Sequence, residues 1–328
     1  MKSIDNRARS AADEAINQLA SDRTSGAAEI LRQAGAVFTE LNTSLSQHKD
    51  VTFEQALEII LETCIALASA QPAMTPLLRL ASAALIAART ATKAREASVR
   101  AEQTALDFIT KAARSAHDAA LVSATLFRDG STALTHSRSS TVLTAFIEAK
   151  RAGRNISVVA TESRPLLEGR AVAEALAGKD IPVTLIADAA AGRAMEEVDL
   201  ILLGADEITP SIHVNKIGTR MIALAARERG LPVYAICDSS KFICEDYFRG
   251  AIRQSRNADE LWVSPPRGVS IANCYFETTP LSCFTGIIIE DGMLAAAEAA
   301  RRAERSTIDA ALVRGLEEKA NDIKERPG

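Results

Sequence analysis

The stretch from Val198 to Phe242 decides the fold class, and it reads VDLILLGADEITPSIHVNKIGTRMIALAARERGLPVYAICDSSKF. Its apolar run Leu200–Leu203 stops abruptly at Gly204-Ala205-Asp206-Glu207. An uninterrupted apolar run of this kind predicts a strand buried on both faces of a parallel sheet. Because ligands of open α/β sheets bind at the carboxyl ends of the strands, we expect the acidic pair to border a ligand crevice.

The pentapeptide Asn215-Lys216-Ile217-Gly218-Thr219 follows the acidic pair and is predicted to open a helix. It offers an amide, an ammonium group and free backbone N–H groups, which together suit an anion. A carboxylate close to these anion-binding groups favours a small anionic substrate from which a proton is transferred during the reaction. Taken singly, Asp206 also fits a turn or a helix cap, and Lys216 also fits a surface lysine.

Composition narrows the class of protein. The 328 residues are 47% hydrophobic, which provides for a substantial core, and the net charge of −4 argues against general nucleic-acid binding. The five cysteines are scattered without a CxxC pair, which indicates reduced thiols in a cytoplasmic protein. No two of the four histidines lie four residues apart, so we expect no metal site, and no motif indicates a cofactor.

Targeting signals are also not expected. The charged beginning MKSIDNRARSAADEAINQLA lacks the apolar core of a signal peptide. No stretch of about 18 apolar residues is free of charges, so neither a membrane span nor a membrane partner is predicted.

Residues 1–125 are predicted to form a helical N-terminal domain, because apolar residues recur there at spacings of three and four. Separate helices are expected over Asp5–Leu19, Gly26–Leu45 and Phe53–Ala70, the third starting near Thr52. A fourth helix is expected to begin after Pro76 and to run past residue 115. It suits either a spine that connects two domains or a plain solvent-exposed helix.

Residues 126–328 show a different pattern, in which short apolar runs alternate with helical segments. This alternation predicts a doubly wound parallel sheet, so the fold class is α/β. The predicted strands are Thr132–Thr135, Ile156–Thr161, Val183–Asp188, Leu200–Leu203 and Val233–Asp238, with helices over 139–152, 168–178, 190–196 and 216–229 between them. An additional edge strand is expected at Leu261–Val263, and a final helix over 293–325.

Five loops should meet at the carboxyl edge of this sheet, because each follows a predicted strand. They are 135–140, 161–170, 188–192, 204–219 and 238–242. The serines of the first loop suit either a helix cap or a phosphate, and Arg164 in the second suits bidentate phosphate recognition or plain solvation. Asp188 suits a helix cap, and Lys241 suits a phosphate or the surface. The shared position of the loops favours a functional site.

Several segments closely resemble one family. It contains the regulatory alpha, beta and delta subunits of translation initiation factor 2B, together with ribose-1,5-bisphosphate isomerase and methylthioribose-1-phosphate isomerase. The matching segments are THSRS at 135–139, TESRPLLEGR at 161–170, IPVTLIADAAAG at 181–192, LILLGADEI at 200–208, NKIGT at 215–219 and SKF at 240–242. NCYFETTP at 273–280 resembles the family's closing pattern, which usually has Asp in place of Glu277.

The resemblance implies a helical domain on a Rossmann-like domain, and dimers or dimer-based hexamers. It also implies that a cysteine after the first strand and the aspartate of the GAD segment move the proton. Asp206 matches that aspartate, whereas Ser137 holds the place of the cysteine. The family's Arg-Gly-Ala phosphate loop has its best match at Ser25-Gly26-Ala27, with Arg23 displaced. The substrate-binding residues expected on these grounds are Arg23, Gly26, Ala27, Thr135, His136, Arg164, Asn215, Lys216 and Lys241.

Two functions therefore compete. The first is a cofactor-independent aldose–ketose isomerase of a phosphorylated pentose, of the ribose-1,5-bisphosphate type, with Asp206 as acid/base and Ser137 holding the substrate. The second is a non-catalytic homologue of the factor 2B alpha subunit, which binds a sugar phosphate and acts through protein association. Asp206 favours the first function, while Ser137 and Ser25 favour the second, since a serine hydroxyl needs another base to activate it.

Overall fold

The computed structural model describes residues 2–22, 26–48, 50–247 and 255–325. They belong to two compact units, one of residues 1–113 with 307–328 and one of residues 114–306. The domain limits expected from the sequence, 1–125 and 126–328, stay a prediction. Within the described residues, no helix has the length and apolar character that crossing a membrane requires.

The first unit is built from helices. They are α1 (Lys2–Ser21), α2 (Ala27–Gln47), α3 (Phe53–Ala70), α4 (Thr75–Arg89), the first part of α5 (Ala94–Ala124), and α11 (Ala310–Glu325). The start of α3 is confirmed: the Thr52 hydroxyl accepts from the backbone N–H of Gln55, whose side chain accepts from the N–H of Thr52. This reciprocal cap satisfies two N–H groups that the helix itself leaves unpaired.

Two long helices expected from the sequence are in fact interrupted. The helix expected from Pro76 past residue 115 is wrong: α4 ends at Arg89, and α5 begins at Ala94, where Glu96 accepts from the backbone N–H of Thr92. The helix expected over 293–325 is also wrong. It divides into α10 (Ala296–Glu304) and α11, which the Asp309 carboxylate caps by accepting from Ala311 and Leu312. In both places local capping outweighs an unbroken helical pattern.

The second unit centres on a seven-stranded sheet, which confirms the predicted fold class of a mostly parallel sheet with helices. Its strand order is β10-β9-β7-β4-β1-β2-β3, with only β10 antiparallel to its neighbour. The strands are β1 (Thr132–Thr135), β2 (Ser157–Thr161), β3 (Val183–Ile186), β4 (Leu200–Gly204), β7 (Val233–Ile236), β9 (Gly286–Ile289) and β10 (Gly292–Leu294). The helices after these strands are α6 (Ser140–Arg151), α7 (Glu168–Ala177), α8 (Ala191–Ala194), α9 (Thr219–Glu228) and α10.

Strand β4 is buried along its whole length, as its apolar run predicts. Leu200 and Leu202 pack into one core, whereas Ile201 and Leu203 pack into another. Alternate side chains of a strand point to opposite faces, so these two cores lie on the two faces of the sheet. All five predicted strands of the parallel sheet are present, so their following loops share its carboxyl edge.

A small antiparallel sheet was not anticipated. It has the order β5-β6-β8 and consists of β5 (Glu207–Ile208), β6 (Ile212–Lys216) and β8 (Phe276–Pro280). Asn215 and Lys216 therefore end a strand rather than open a helix, and α9 begins at Thr219. The edge strand expected at Leu261–Val263 is wrong, since no strand forms there and Trp262 is half exposed.

Candidate active site

The loop after β1 carries the first group of candidate residues. Thr135 and His136 are buried, and Ser137 has a φ of 66°, the left-handed region that non-glycine residues rarely adopt. Ser139 then caps α6 by accepting from the backbone N–H of Val142. Strand β4 approaches this cap closely, because a Cβ on Gly204 would lie 2.7 Å from the Cβ of Ser139. Glycine at the end of β4 thus lets the two loops meet.

His136 connects the first, second and fourth loops. Its Nε2 lies 2.7 Å from the carbonyl oxygen of Ile217, which can only accept, so Nε2 carries the proton. Its Nδ1 then accepts from the Thr161 hydroxyl at 2.6 Å. Burial lowers the pKa of His136. The imidazole is therefore neutral near pH 7 and fully used in holding the loops, and its expected part in substrate binding stays a prediction.

Asp188, in the third loop (188–192), binds the backbone of the second loop (161–170). Its two carboxylate oxygens accept from the backbone N–H groups of Ser163 and Arg164, each at 2.7 Å. Ser163 has a φ of 63°, and its hydroxyl accepts from the N–H of Ser137 at 2.7 Å. Asp188 was expected to cap its own helix, whereas here it fixes the backbone next to Ser137.

The helix α9 was expected to offer free N–H groups to an anion, and an internal carboxylate already accepts from two N–H groups at its start. Glu277 Oε1 accepts from the N–H of Gly218 at 2.7 Å and from that of Arg220 at 2.9 Å. A carboxylate is favourable at this end of a helix dipole. These two N–H groups are therefore not available to an anion, and the expected anion cradle over 215–219 stays a prediction.

Lys216 is similarly occupied. Its side chain is only 3% exposed, and its ammonium group lies 2.9 and 2.8 Å from the two carboxylate oxygens of Glu168. The Tyr275 ring lies 5.2 Å from the same ammonium group, close enough for a cation–π interaction. Asn215, the preceding residue, donates to the Thr219 hydroxyl at 3.0 Å.

Asp206 and Lys241 differ from these residues. The carboxylate of half-buried Asp206 and the ammonium group of buried Lys241 form no hydrogen bond or ion pair with any described residue. Burial raises the pKa of the Asp206 carboxyl, while the positive charges of Lys241 and Lys216 oppose that rise. Asp206 thus combines a perturbed pKa with unused hydrogen-bonding capacity, a combination typical of catalytic acids and bases.

The remaining candidates lie in several places. Arg164 is exposed, donates its backbone N–H to Asp188, and donates from its guanidinium group to the carbonyl oxygen of Glu260 at 3.1 Å. Gly26 and Ala27 begin α2 in the other compact unit, and Arg23 lies outside the described residues. Their expected roles stay predictions. In the part of the chain that the structure describes, no group of three or more His, Cys, Asp or Glu side chains is arranged for a metal ion.

Sequence reasoning assigned no role to Glu168 or Glu277, and it gave Asp188 only the role of a helix cap. Each lies in a segment already singled out, but which backbone or ammonium group it would meet depends on the fold. The one feature of the sequence that could have drawn attention to such a partner is Glu277, because the resembled family usually has aspartate at that position.

Comparison with known proteins identifies the lineage. The model of the Initiation factor 2 subunit family matches residues 23–296. The chain belongs to this family. It is 30% identical over 287 residues to a ribose 1,5-bisphosphate isomerase of Archaeoglobus fulgidus, an alignment that covers 86% of this chain and 88% of that protein. The resemblance drawn from the strand-end motifs is therefore confirmed.

Two further relatives of this Initiation factor 2 subunit family member show its breadth. A methylthioribose-1-phosphate isomerase of Albidiferax ferrireducens is 36% identical over 205 residues, which is 56% of each chain. The crystal structure of the translation initiation factor eIF-2B of Pyrococcus horikoshii aligns with a TM-score of 0.72 at 26% identity, covering 87% of this chain and 96% of that one. Relatives named as isomerases and as initiation factors thus share this architecture.

Proposed function

We propose that this protein is a cofactor-independent aldose–ketose isomerase of a phosphorylated pentose, with Asp206 as the acid/base. The observation that carries the proposal is the Asp206 carboxylate, which lies at the carboxyl end of β4 with a raised pKa and no hydrogen bond to a described residue. A base must be free to take the substrate's proton, and general acid–base catalysis is most efficient when its pKa lies near the working pH.

In this reaction a proton leaves C2 of the sugar and a proton is returned to C1. Asp206 takes the first and supplies the second, so its carboxylate is regenerated at the end of the cycle. The bond from C1 to the ring oxygen breaks as the C2 carbonyl forms, and the proton of the C2 hydroxyl passes to the ring oxygen. Lys241, whose ammonium group is unpaired among the described residues, binds a phosphate oxygen or balances the charge that develops on the sugar. Ser137, fixed at its left-handed φ by Ser163, contributes a hydroxyl that holds the substrate.

The test measures isomerisation of ribose 1,5-bisphosphate and of methylthioribose 1-phosphate by NMR. We expect turnover of one of them by the wild type, rising with pH as Asp206 loses its proton. Asp206→Asn should lower that turnover about 10²–10⁴-fold while leaving substrate affinity within a few-fold. The matched control is Asp199→Asn, which changes an exposed carboxylate just before the other end of β4 and should leave turnover unchanged. Unaltered turnover in Asp206→Asn contradicts the mechanism.

A second candidate function is supported by Ser137. Because it stands where the resemblance places a catalytic cysteine, the protein also suits a non-catalytic sugar-phosphate-binding homologue that acts through association. In that case the wild type turns over neither sugar, and Ser137→Cys gains measurable turnover, since a thiol of pKa about 8.5 is far more easily deprotonated than a hydroxyl.

Association is part of both candidates. We expect a homodimer or a dimer-based hexamer, supported by the family resemblance and by relatives such as a solved complex named as a tetramer of eIF2B beta and delta subunits, 17% identical to this chain. Light scattering at micromolar concentration measures the mass directly. A monomer under those conditions contradicts the expectation.

A further inference from the structure

The ion pair between Lys216 and Glu168 has an uneven exposure. The Lys216 side chain is 3% exposed and that of Glu168 is 25% exposed, so Glu168 lies on the solvent side of the pair. Both of its oxygens lie within 3 Å of the ammonium nitrogen, at 2.9 and 2.8 Å. A ligand that approaches Lys216 from solvent therefore meets the Glu168 side chain before the ammonium group.

The backbone around Glu168 has little freedom to withdraw that carboxylate. Glu168 begins α7, and the next residue, Gly169, is so close to β2 that a Cβ there would lie 1.8 Å from the carbonyl oxygen of Thr161. Release of Lys216 must then come from rotation of the Glu168 side chain. At the start of α9, Glu277 already accepts from the N–H groups of Gly218 and Arg220.

We propose that Glu168 is a specificity-determining residue, which occupies the anion position of Lys216 in the free protein and yields it only to a phosphate group. The proposal rests on the proposed function, because it takes the sugar phosphate as the ligand. A phosphate dianion brings two charges and three acceptor oxygens, and so competes with one carboxylate. A carboxylate ligand brings one charge and two acceptor oxygens, which Glu168 already supplies. Glu168 thus excludes carboxylates and weakens phosphate binding at the same time.

The experiment compares wild type, Glu168→Gln and Glu162→Gln by calorimetric titration with sodium phosphate and with sodium acetate. Glu162 is the matched control: its side chain is 28% exposed, in the same loop, and it pairs with Arg170 at 3.5 Å. We expect Glu168→Gln to bind phosphate at least about tenfold more tightly, since a like charge is removed from the site. It should also bind acetate, which neither the wild type nor Glu162→Gln binds measurably.

A second variant ties the gain to Lys216. In Glu168→Gln with Lys216→Met, the gain in phosphate and acetate affinity should disappear. Glu168→Gln should also melt below the wild type without phosphate, because it leaves a buried ammonium group without its carboxylate, and phosphate should raise its Tm more than that of the wild type. If Glu168→Gln does not fold, Glu168→Asp carries the test, with phosphate affinity above that of the wild type.

Unchanged or weaker phosphate binding by these Glu168 variants overturns the proposal. So does a gain that persists without Lys216. Because inorganic phosphate is the probe, the result is independent of turnover. A protein that isomerises no sugar refutes the proposed function and leaves the Glu168 result to be judged separately.

Discussion

The two halves of the candidate site use their polar groups in opposite ways. In the bonded half, which comprises His136, Ser163, Asp188 and Glu277, side chains are committed to backbone groups or to one another. In the open half, Asp206 and Lys241 form no hydrogen bond or ion pair with a described residue. This difference indicates two roles. The groups of the bonded half hold the loops in place, and the unpaired charges of the open half are available to bind a ligand.

Substitutions in the two halves should differ in their effect on the free energy of unfolding. Substitutions in the bonded half should destabilise the protein, because they remove satisfied contacts. Substitutions in the open half should cost little stability or even increase it, because a site kept ready for a ligand holds poorly solvated charge.

The largest effect is expected for Gly169→Ala in the first turn of α7. A Cβ would lie 1.8 Å from the carbonyl oxygen of Thr161 and 2.8 Å from its carbonyl carbon, so backbone must move. We expect a loss of at least about 4 kcal/mol in the free energy of unfolding, measured by urea denaturation. Gly192→Ala is the control, since an added Cβ there meets nothing within 4 Å. Equal stability of the two variants contradicts the described loop geometry.

The next largest effect is a loss of stability at low pH, and it is expected from the buried side chain of His213. Its Nε2 donates to the carbonyl oxygen of Gly204 at 2.8 Å, its ring packs on Phe284, and burial lowers its pKa to about 4. An unfolded histidine has a pKa of about 6.5. As the pH falls from 6.5 to about 4, the unfolded state gains a proton that the folded state refuses, and roughly 3 kcal/mol of stability is lost.

The check on His213 is a set of denaturation curves at several pH values. His213→Gln, whose amide can still donate to Gly204, should lose this part of the pH dependence. His117→Gln, which changes an exposed histidine, should keep it. A wild type whose stability is constant between pH 6.5 and 4 contradicts the assignment of His213 as buried and neutral.

A smaller effect is expected for Asp188→Asn. The amide keeps one acceptor oxygen, so one of the two hydrogen bonds from the Ser163 and Arg164 N–H groups is lost. A hydrogen bond to a charged group contributes about 1.5–3 kcal/mol, which sets the expected loss in urea denaturation. Asp180→Asn, at an exposed carboxylate, should be neutral. Indistinguishable behaviour of the two variants would remove Asp188 from the scaffold.

The sequence revealed the fold where its pattern was local. The apolar run Leu200–Leu203 and the cap at Thr52 each predicted an element that is present. The short strands of the small sheet were missed because Asn215 and Lys216 pair with a segment about 60 residues later in the chain, Phe276–Pro280, a contact that no local pattern contains.

The candidate site shows the same limit. Position after a strand was enough to nominate Asp206, Lys216 and Lys241, since parallel strands bring their carboxyl ends to one edge. Their electrostatic states were not predictable. Lys216 is neutralised by Glu168 and Lys241 is not, and this contrast depends on which side chains the folded loops bring together.

The smallest expected effect has the opposite sign and tests the open half directly. Burial raises the pKa of Asp206 above its unfolded value, so the folded state prefers the protonated carboxyl. Its contribution to stability is full below the unfolded pKa of about 3.9 and is lost as the pH rises through the folded pKa. Asp206→Asn removes that loss. We therefore expect the variant to have a higher Tm than the wild type at pH 8 and the same Tm near pH 4. Thermal melts measure the difference in Tm between the variant and the wild type at each of the two pH values. A variant that melts below the wild type at pH 8 would mean that attraction to Lys241 and Lys216 outweighs burial, and Asp206 would then belong with the bonded half.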